Sequence, residues 1–556
     1  MSSRNATGGG ESSRDETAGD HSRPAAQLVF CIDTRSEVIR RHVEDAGPYE
    51  TDGYAGFFGV PIRHREYGSD VEVDACPPIV ASRHRITDRP EPRERDGKSA
   101  HDRWTDLTAA ARSHLESLTH NVAAAFPFVE SVGGAYGLAM AARTLSPTAV
   151  HAVADAVDER VPSPPSFCVP AIDGGESRTD GGVGDDEDRT DPRQHATDHD
   201  HLQQGMTLQQ KVEYAETAFE LMGWTEFGRL VAFVGHKSET ANNPFASSLD
   251  CGACAGNPGG PNARVLAAIC NDDAVRSMLR ARGIDVPADT VFLAAEHNTT
   301  TDEITLFDDA VPESHRADLD RLREDLADAR TGAAAERVDS LPGGDASDPE
   351  RETERRAADW AEPRPEWGLA DNASFVIGPR ELTAGADLEG RAFLHSYDWA
   401  SDPTGEALEA IATGPLLVTQ WINAQYYFAT VDNAVYGSGS KITQNPTGNV
   451  GVVQGNGGDL MRGLPRQSLM VDHERARHRP LRLSVVIHAP VERVTEILQH
   501  NDRVARLFDN GWAGLTVLDP ERDDEAFHYQ GELEWESQGS TTRSERTPTR
   551  SESIAQ

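Results

Sequence analysis

The chain has 556 residues, of which 92 are acidic and 53 basic, for a net charge of −39, and 37% are hydrophobic. That length supports several domains around a substantial core, and the acidic excess excludes a nucleic-acid partner, because nothing basic tracks phosphates. Lys occurs only at 98, 211, 237 and 441, so nearly all positive charge is Arg. Abundant carboxylate with scarce Lys predicts a halophilic protein, kept soluble in very high salt where self-repulsion is screened.

Six cysteines, at 31, 76, 168, 251, 254 and 270, are too few for a disulfide scaffold of this size. In a cytoplasmic chain they point to metal binding or catalysis. Residues 1–25 read as a disordered polar arm without the apolar core of a signal peptide. "SVGGAYGLAMAA", the most apolar stretch, is too short and too Gly-rich to span a bilayer. A soluble or peripheral protein is expected.

"LVFCIDTRSE" opens the ordered chain as a buried strand over 26–33. If the chain stays extended, Cys31, Asp33 and Arg35 point to one side. "SEVIRRHVEDAG" follows as a helix, with Ser36 as N-cap and Gly47 as its stop. "GYAGFFGVPI" and "DACPPIV" read as Gly- and Pro-punctuated loops, and helical patterns fill much of 105–158. An acidic low-complexity insertion occupies 171–208; its His195, His199 and His201 fit a solvated linker better than a metal site. A helix over 209–223 leads into the strand "GRLVAFVGH", then the helix "PNARVLAAICN", then the strand "TVFLAAEHNTTTDE". Strands alternating with helices predict an α/β fold with a largely parallel sheet. Its first part covers 26–170 and its second 209–310. A charged helical segment over 311–361, a mixed α+β region over 362–520 and a polar tail over 521–556 complete the chain.

In parallel sheets ligands gather beyond the carboxyl ends of the strands, where Cys31, His236 and His297 are placed. Cys251 lies fifteen positions after His236, and Cys254 three further on. Thiolate, imidazole and carboxylate are ligands that favour Zn²⁺, and Cys31, Asp33, His236 and Cys251 offer all three. Each residue alone has a plainer reading. Cys31 is then a buried thiol, His236 a hydrogen-bonded loop side chain, and Arg35 an ion-pair partner of Asp33. "CGAC" is then a redox pair or half a structural zinc site, although Gly and Pro around it do not suit a thioredoxin-like turn. "GVVQGNGGDL" lacks the Gly-Lys-Ser/Thr ending of a P-loop, so no nucleotide is expected.

Cys-x-Asp-x-Arg at a strand end, completed by a later His and Cys, resembles the β-carbonic anhydrases, with a longer His-to-Cys interval here. The interval and much else resemble the DabA family, the zinc-binding subunit of a prokaryotic inorganic carbon transporter. The matching stretches include "CIDTRSEVIRRHVE", "GYAGFFGVPI", "NNPFASSLDCGACAG", "HNTTTDE", "PEWGLADNASFVIGPR", "QWINAQYYFATVDNAVYGSGSK" and "GVVQGNGGDLMRGLPRQS". The resemblance implies a β-carbonic-anhydrase-like sheet and Zn²⁺ held by Cys31, Asp33, His236 and Cys251. It also implies a DabB-like polytopic membrane subunit as partner, and a peripheral position on the cytoplasmic side of the cell membrane. Family members are expected to carry a long segment ahead of the Cys-x-Asp strand, where this chain has only its short arm.

Zinc brings the pKa of a bound water to about 7, so the implied chemistry is energy-coupled conversion of CO₂ to bicarbonate. Asp33 and Arg35 are the expected catalytic pair: Asp33 ligates zinc or turns to a bidentate pair with Arg35, leaving room for water. The alternatives are a free-standing soluble β-type carbonic anhydrase and a non-catalytic zinc or redox protein that uses the CxxC.

Overall fold

The computed structural model describes residues 23–158, 160–174, 202–308, 311–446, 452–454 and 460–537. Most of the expected arm, His195, His199 and His201 of the insertion, much of "GNVGVVQGNGGD" and the chain beyond 537 lie outside the described residues.

The first sheet contains β1 (Ala26–Cys31), β2 (Tyr49–Tyr54), β3 (Leu230–Lys237), β4 (Val291–Asn298) and β5 (Glu303–Phe307). Their order is β5-β4-β3-β1-β2. All neighbours are parallel except β5, which returns antiparallel on β4. β1 is buried throughout and β3 nearly so, the continuous burial of a parallel sheet covered on both faces. Leu28 and Phe30 of β1 pack with Ile39 of α1 (Thr34–Ala46) on one face. Val29 packs on the other face with residues of two later helices.

Between β2 and β3 the chain makes a long excursion through three helices, α2 (Arg95–His120), α3 (Ala125–Leu145) and α4 (Pro147–Asp158). It returns through α5 (Leu208–Met222), closed by a Thr207/Gln210 capping box and by Gly223 in the left-handed conformation. Between β3 and β4 runs α6 (Gly260–Asn271), with Pro261 in its first turn. Val212 and Phe219 of α5 and Leu266 and Ile269 of α6 cover the Val29 face. α7 (Arg316–Ser340) covers the other with Leu319, Leu322 and Leu326.

A second sheet is built from β6 (Ser374–Ile377), β7 (Ala392–His395), β8 (Leu483–His488), β9 (Ala513–Asp519), β10 (Glu525–Gly531) and β11 (Glu534–Ser537), in the order β7-β6-β8-β9-β10-β11. Four strands are parallel and the last two antiparallel. α8 (Pro415–Val431) crosses this half. Two further sheets, one of five strands and one of three, stand among the described residues as well, and the architecture is mixed α/β with covering helices.

Two local expectations are corrected. β10 and β11 lie within the segment read as a polar tail. Its charges mask Phe527, Tyr529, Leu533 and Trp535, which pack against the core of the second sheet. The cap of α1 is Asp33, whose side chain accepts from the Arg35 amide, and not Ser36. Extended chain thus ends at Cys31, and a strand-to-helix turn brings Cys31, Asp33 and Arg35 together.

Candidate metal centre

β1 and β3 are hydrogen-bonded neighbours, which sets their carboxyl ends side by side across nearly two hundred residues of sequence. Cys31 closes β1 and His236 stands near the end of β3. Cys251 is the residue before a short 3₁₀ turn, Gly252–Cys254. Gly235 lets the loop carrying this turn come close. A Cβ there would sit 2.4 Å from the carbonyl carbon of Gly259, so any other residue would push the loop away.

The donor atoms of Cys31, His236 and Cys251 all lie within 4.8 Å of one another, and all three side chains are buried. The two sulfurs are 4.0 Å apart, too far for a disulfide, and both cysteines are free. Their mutual contact and burial raise the Cys31 thiol well above its ordinary pKa. Contact with Cys254, together with burial, does the same for Cys251. Without a cation both sulfurs stay protonated; a bound cation displaces those protons. Such a soft donor set suits a borderline divalent metal better than calcium or magnesium.

Asp33 stands beside this group in a bidentate pair with Arg35. Arg35 Nε donates to Oδ1 at 2.9 Å and Nη2 to Oδ2 at 3.0 Å, and the Arg35 amide also donates to Oδ1. Asp33 Oδ2 is 3.5 Å from His236 Nε2. Burial pushes the Asp33 pKa up, but Arg35 and His236 outweigh it, and the carboxyl falls well below the usual range. The other side of the guanidinium is anchored by Nη1, which donates to Thr299 Oγ1 at 2.9 Å and Glu366 Oε2 at 3.0 Å. Glu366 in turn accepts from Ser238, Thr299 and Thr300. Arg35 is 4% exposed. A cleft of about 480 Å³ whose walls include Thr34, Arg35, Arg337 and Trp367 reaches this network from outside.

Three of the four expected ligands are therefore assembled as donors, while Asp33 is adjacent and turned onto Arg35. His297 is elsewhere: it pairs with Asp302 at 3.1 Å, and Arg337 holds the same carboxylate. The Cys254 thiol donates to the Gly56 carbonyl at 3.3 Å and is not in the donor group. Sequence reasoning missed Gly56, Thr299 and Glu366. A Cβ at Gly56 would lie 2.6 Å from the Cys251 sulfur and 2.7 Å from that of Cys31. All three sit in stretches that carry the family resemblance, "GYAGFFGVPI", "HNTTTDE" and "PEWGLADNASFVIGPR", but nothing in one dimension says what they face.

Fold and site define an α/β protein with a buried Cys–His–Cys cluster able to hold a metal ion at the carboxyl ends of parallel strands. A family model described as "Probable inorganic carbon transporter subunit DabA" matches residues 9–513. The chain belongs to the DabA family. Proteins bearing that description are 63% identical over 523 residues in Natronomonas pharaonis, covering 94% of this chain and 62% of the relative. The Haloarcula marismortui protein is 60% identical over 513 residues, 92% of this chain and 61% of the relative. One from Legionella pneumophila is 42% identical over 502 residues, 90% and 62%. The chain thus spans about three fifths of the length of these relatives.

Proposed function

We propose that this chain carries the zinc site of an inorganic carbon transporter and converts CO₂ to bicarbonate there, as a peripheral subunit at the cytoplasmic membrane face. The supporting observation is the Cys31–His236–Cys251 cluster with a bidentate Asp33–Arg35 pair against it. Two thiolates on one tetrahedral zinc, each about 2.3 Å from it, sit roughly 3.8 Å apart; the sulfurs here are 4.0 Å apart. Cys31, His236 and Cys251 would hold the zinc, which would supply a Lewis acid that brings proton loss from water into the neutral range. Asp33 has two partners to choose between, the guanidinium and the cation. Paired with Arg35, as observed, it would leave a bound cation open to water; released from Arg35, it would serve as a further ligand. Glu366 and Thr299 hold the guanidinium still, so the exchange is Asp33's alone. The β-carbonic-anhydrase-like reading of the fold rests on this constellation.

The partner we propose is a polytopic, DabB-like membrane subunit. No helix among the described residues is long and apolar enough to cross a membrane. Yet α3 has no buried residue, and Phe126, Val129, Leu138, Met140 and Leu145 stand exposed along it. Exposed apolar surface of this kind marks an interaction site, which favours the membrane-coupled reading over a free-standing enzyme.

The test is growth in ambient air of a host unable to concentrate carbon, expressing the chain with its membrane partner, alongside zinc analysis of the purified chain. Growth that depends on Cys31, His236 and Cys251 supports the reading. Robust CO₂ hydration by the purified chain alone would move it to a free-standing enzyme. Full zinc content in all three alanine variants would defeat it.

A further inference from the structure

Arg supplies all but four of the 53 basic residues of this chain. Three of the four lysines have carboxylate partners: Lys98 pairs with Asp102, Lys211 with Asp173 and Asp272, and Lys237 with Glu239 and Glu296. The fourth does not. Lys441 is 8% exposed, and its amine makes no hydrogen bond or ion pair among the described residues. In a chain with a surplus of carboxylates, a buried amine without one is out of character.

The backbone around Lys441 is firmly held. Lys441 opens a 3₁₀ turn, Lys441–Thr443, capped by Ser440. Its amide donates to Gln467 Oε1 at 3.0 Å, and Gln467 Nε2 donates to Ser440 Oγ at 2.9 Å. Arg364 donates to the carbonyls of Gln467 and Met470. The charges that reach the amine are those of Glu366, Arg364 and Glu362. Burial lowers its pKa to about 8, so a large share of the amine is neutral in mildly alkaline solution. Arg is always protonated and lacks a nucleophilic lone pair; only Lys offers a neutral amine.

We infer that Lys441 is a CO₂-reactive site whose amine is reversibly carbamylated. The Nζ lone pair forms a bond to the carbon of CO₂, and one carbon–oxygen π pair moves onto oxygen. One N–H proton leaves to solvent, and the product is a carbamate anion, with no oxidant or reductant required. Of the charges that reach the amine, Arg364 favours the carbamate anion, while Glu366 and Glu362 oppose it. Because Glu366 also grips Arg35, a change of charge at Lys441 is felt at the guanidinium that holds Asp33. The site shares its ligand with the function proposed above, but stands on Lys441 and not on the metal.

The experiment equilibrates the whole chain with ¹³C-labelled CO₂ and bicarbonate near pH 8, alkylates any carbamate with a trialkyloxonium reagent, and maps labelled peptides by mass spectrometry. Label is expected on the peptide bearing Lys441 and not on those bearing Lys98, Lys211 or Lys237. An unlabelled Lys441, or equal labelling of all four lysines, would overturn the inference. Lys441→Arg is expected to abolish the label while keeping the far-ultraviolet circular dichroism of the parent; label persisting on that peptide overturns it equally. Trapping does not depend on hydration, so the two readings fail separately. A chain labelled at Lys441 but inactive in hydration and carbon uptake defeats only the proposed function. An active chain unlabelled at Lys441 defeats only this inference.

Discussion

Arg35 has two rows of partners, Asp33 on one side and Thr299 with Glu366 on the other. A surface ion pair is worth about 0–1 kcal/mol, whereas removing one member of a buried pair costs about 3–5 kcal/mol. Arg35→Ala therefore confounds stability with function, and Arg35→Lys is the sharper variant: it keeps the charge but not the two-pronged grip. It is expected to retain near-parental zinc while carbon-dependent growth falls, because Asp33 is no longer held off the metal. Growth equal to the parent would mean that the pair is structural. At Gly56 the expected effect is steric. Gly56→Ala overpacks both sulfurs, a change that costs about 1–3 kcal/mol, and zinc content should drop even though every ligand is still present. Metal analysis of folded protein decides that.

α2 and α3 differ from α1, α5, α6, α7 and α8. Those five each bury several residues, whereas α2 and α3 bury none. A double charge substitution, Leu138→Glu with Met140→Glu, is therefore expected to leave the melting temperature within the small range of ordinary surface changes. Recovery with membranes in co-expression should nevertheless be lost. Unchanged recovery would remove α3 from the partner interface. The strands at the other end of the chain behave oppositely. Trp535 packs on Tyr529 at 5.0 Å and donates to Thr495 Oγ1 at 2.9 Å. Trp535→Ala should cost about 0.5–3 kcal/mol in denaturant unfolding, although a reading of charge alone would call that segment a tail.

Across the whole molecule the net charge of −39 makes stability a function of salt. The screening length is about 3 Å at 1 M and about 30 Å at 0.01 M, so dilution from molar salt should lower the melting temperature. A melting temperature independent of salt would contradict the halophilic reading. Acid acts through particular carboxylates. Burial raises the Asp302 pKa, but Arg337 and His297 outweigh it and hold it below the normal range. An acid whose folded pKa is depressed contributes stability that is present above its unfolded value, about 3.9, and lost as pH falls through the folded one. Stability should thus decline below about pH 4. Asp302→Asn should flatten that decline at a cost of about 3–5 kcal/mol, read from unfolding midpoints against pH.

Much of this could be read in one dimension because it is local. Apolar runs ending in polar loops marked β1, β3 and β4, and Gly223 and Pro261 stood at helix ends, since backbone propensity and capping act over a few residues. Residue types and strand ends also placed Cys31, His236 and Cys251 as candidates. Capping at Asp33 was missed because Ser36 is an equally good local cap, and only the turn that sends the chain past the Cys–His–Cys cluster selects between them. The grip of Glu366 on Arg35, more than three hundred residues apart in sequence, and the place of Gly56 against two sulfurs arise from close packing of segments that share no local signal. So does the isolation of the Lys441 amine, because burial and the lack of an ion-pair partner among the described residues are properties of a neighbourhood. Sequence alone determined which chemical groups stand at the strand ends; tertiary packing decided which of them meet, which are held apart and which are left without a partner.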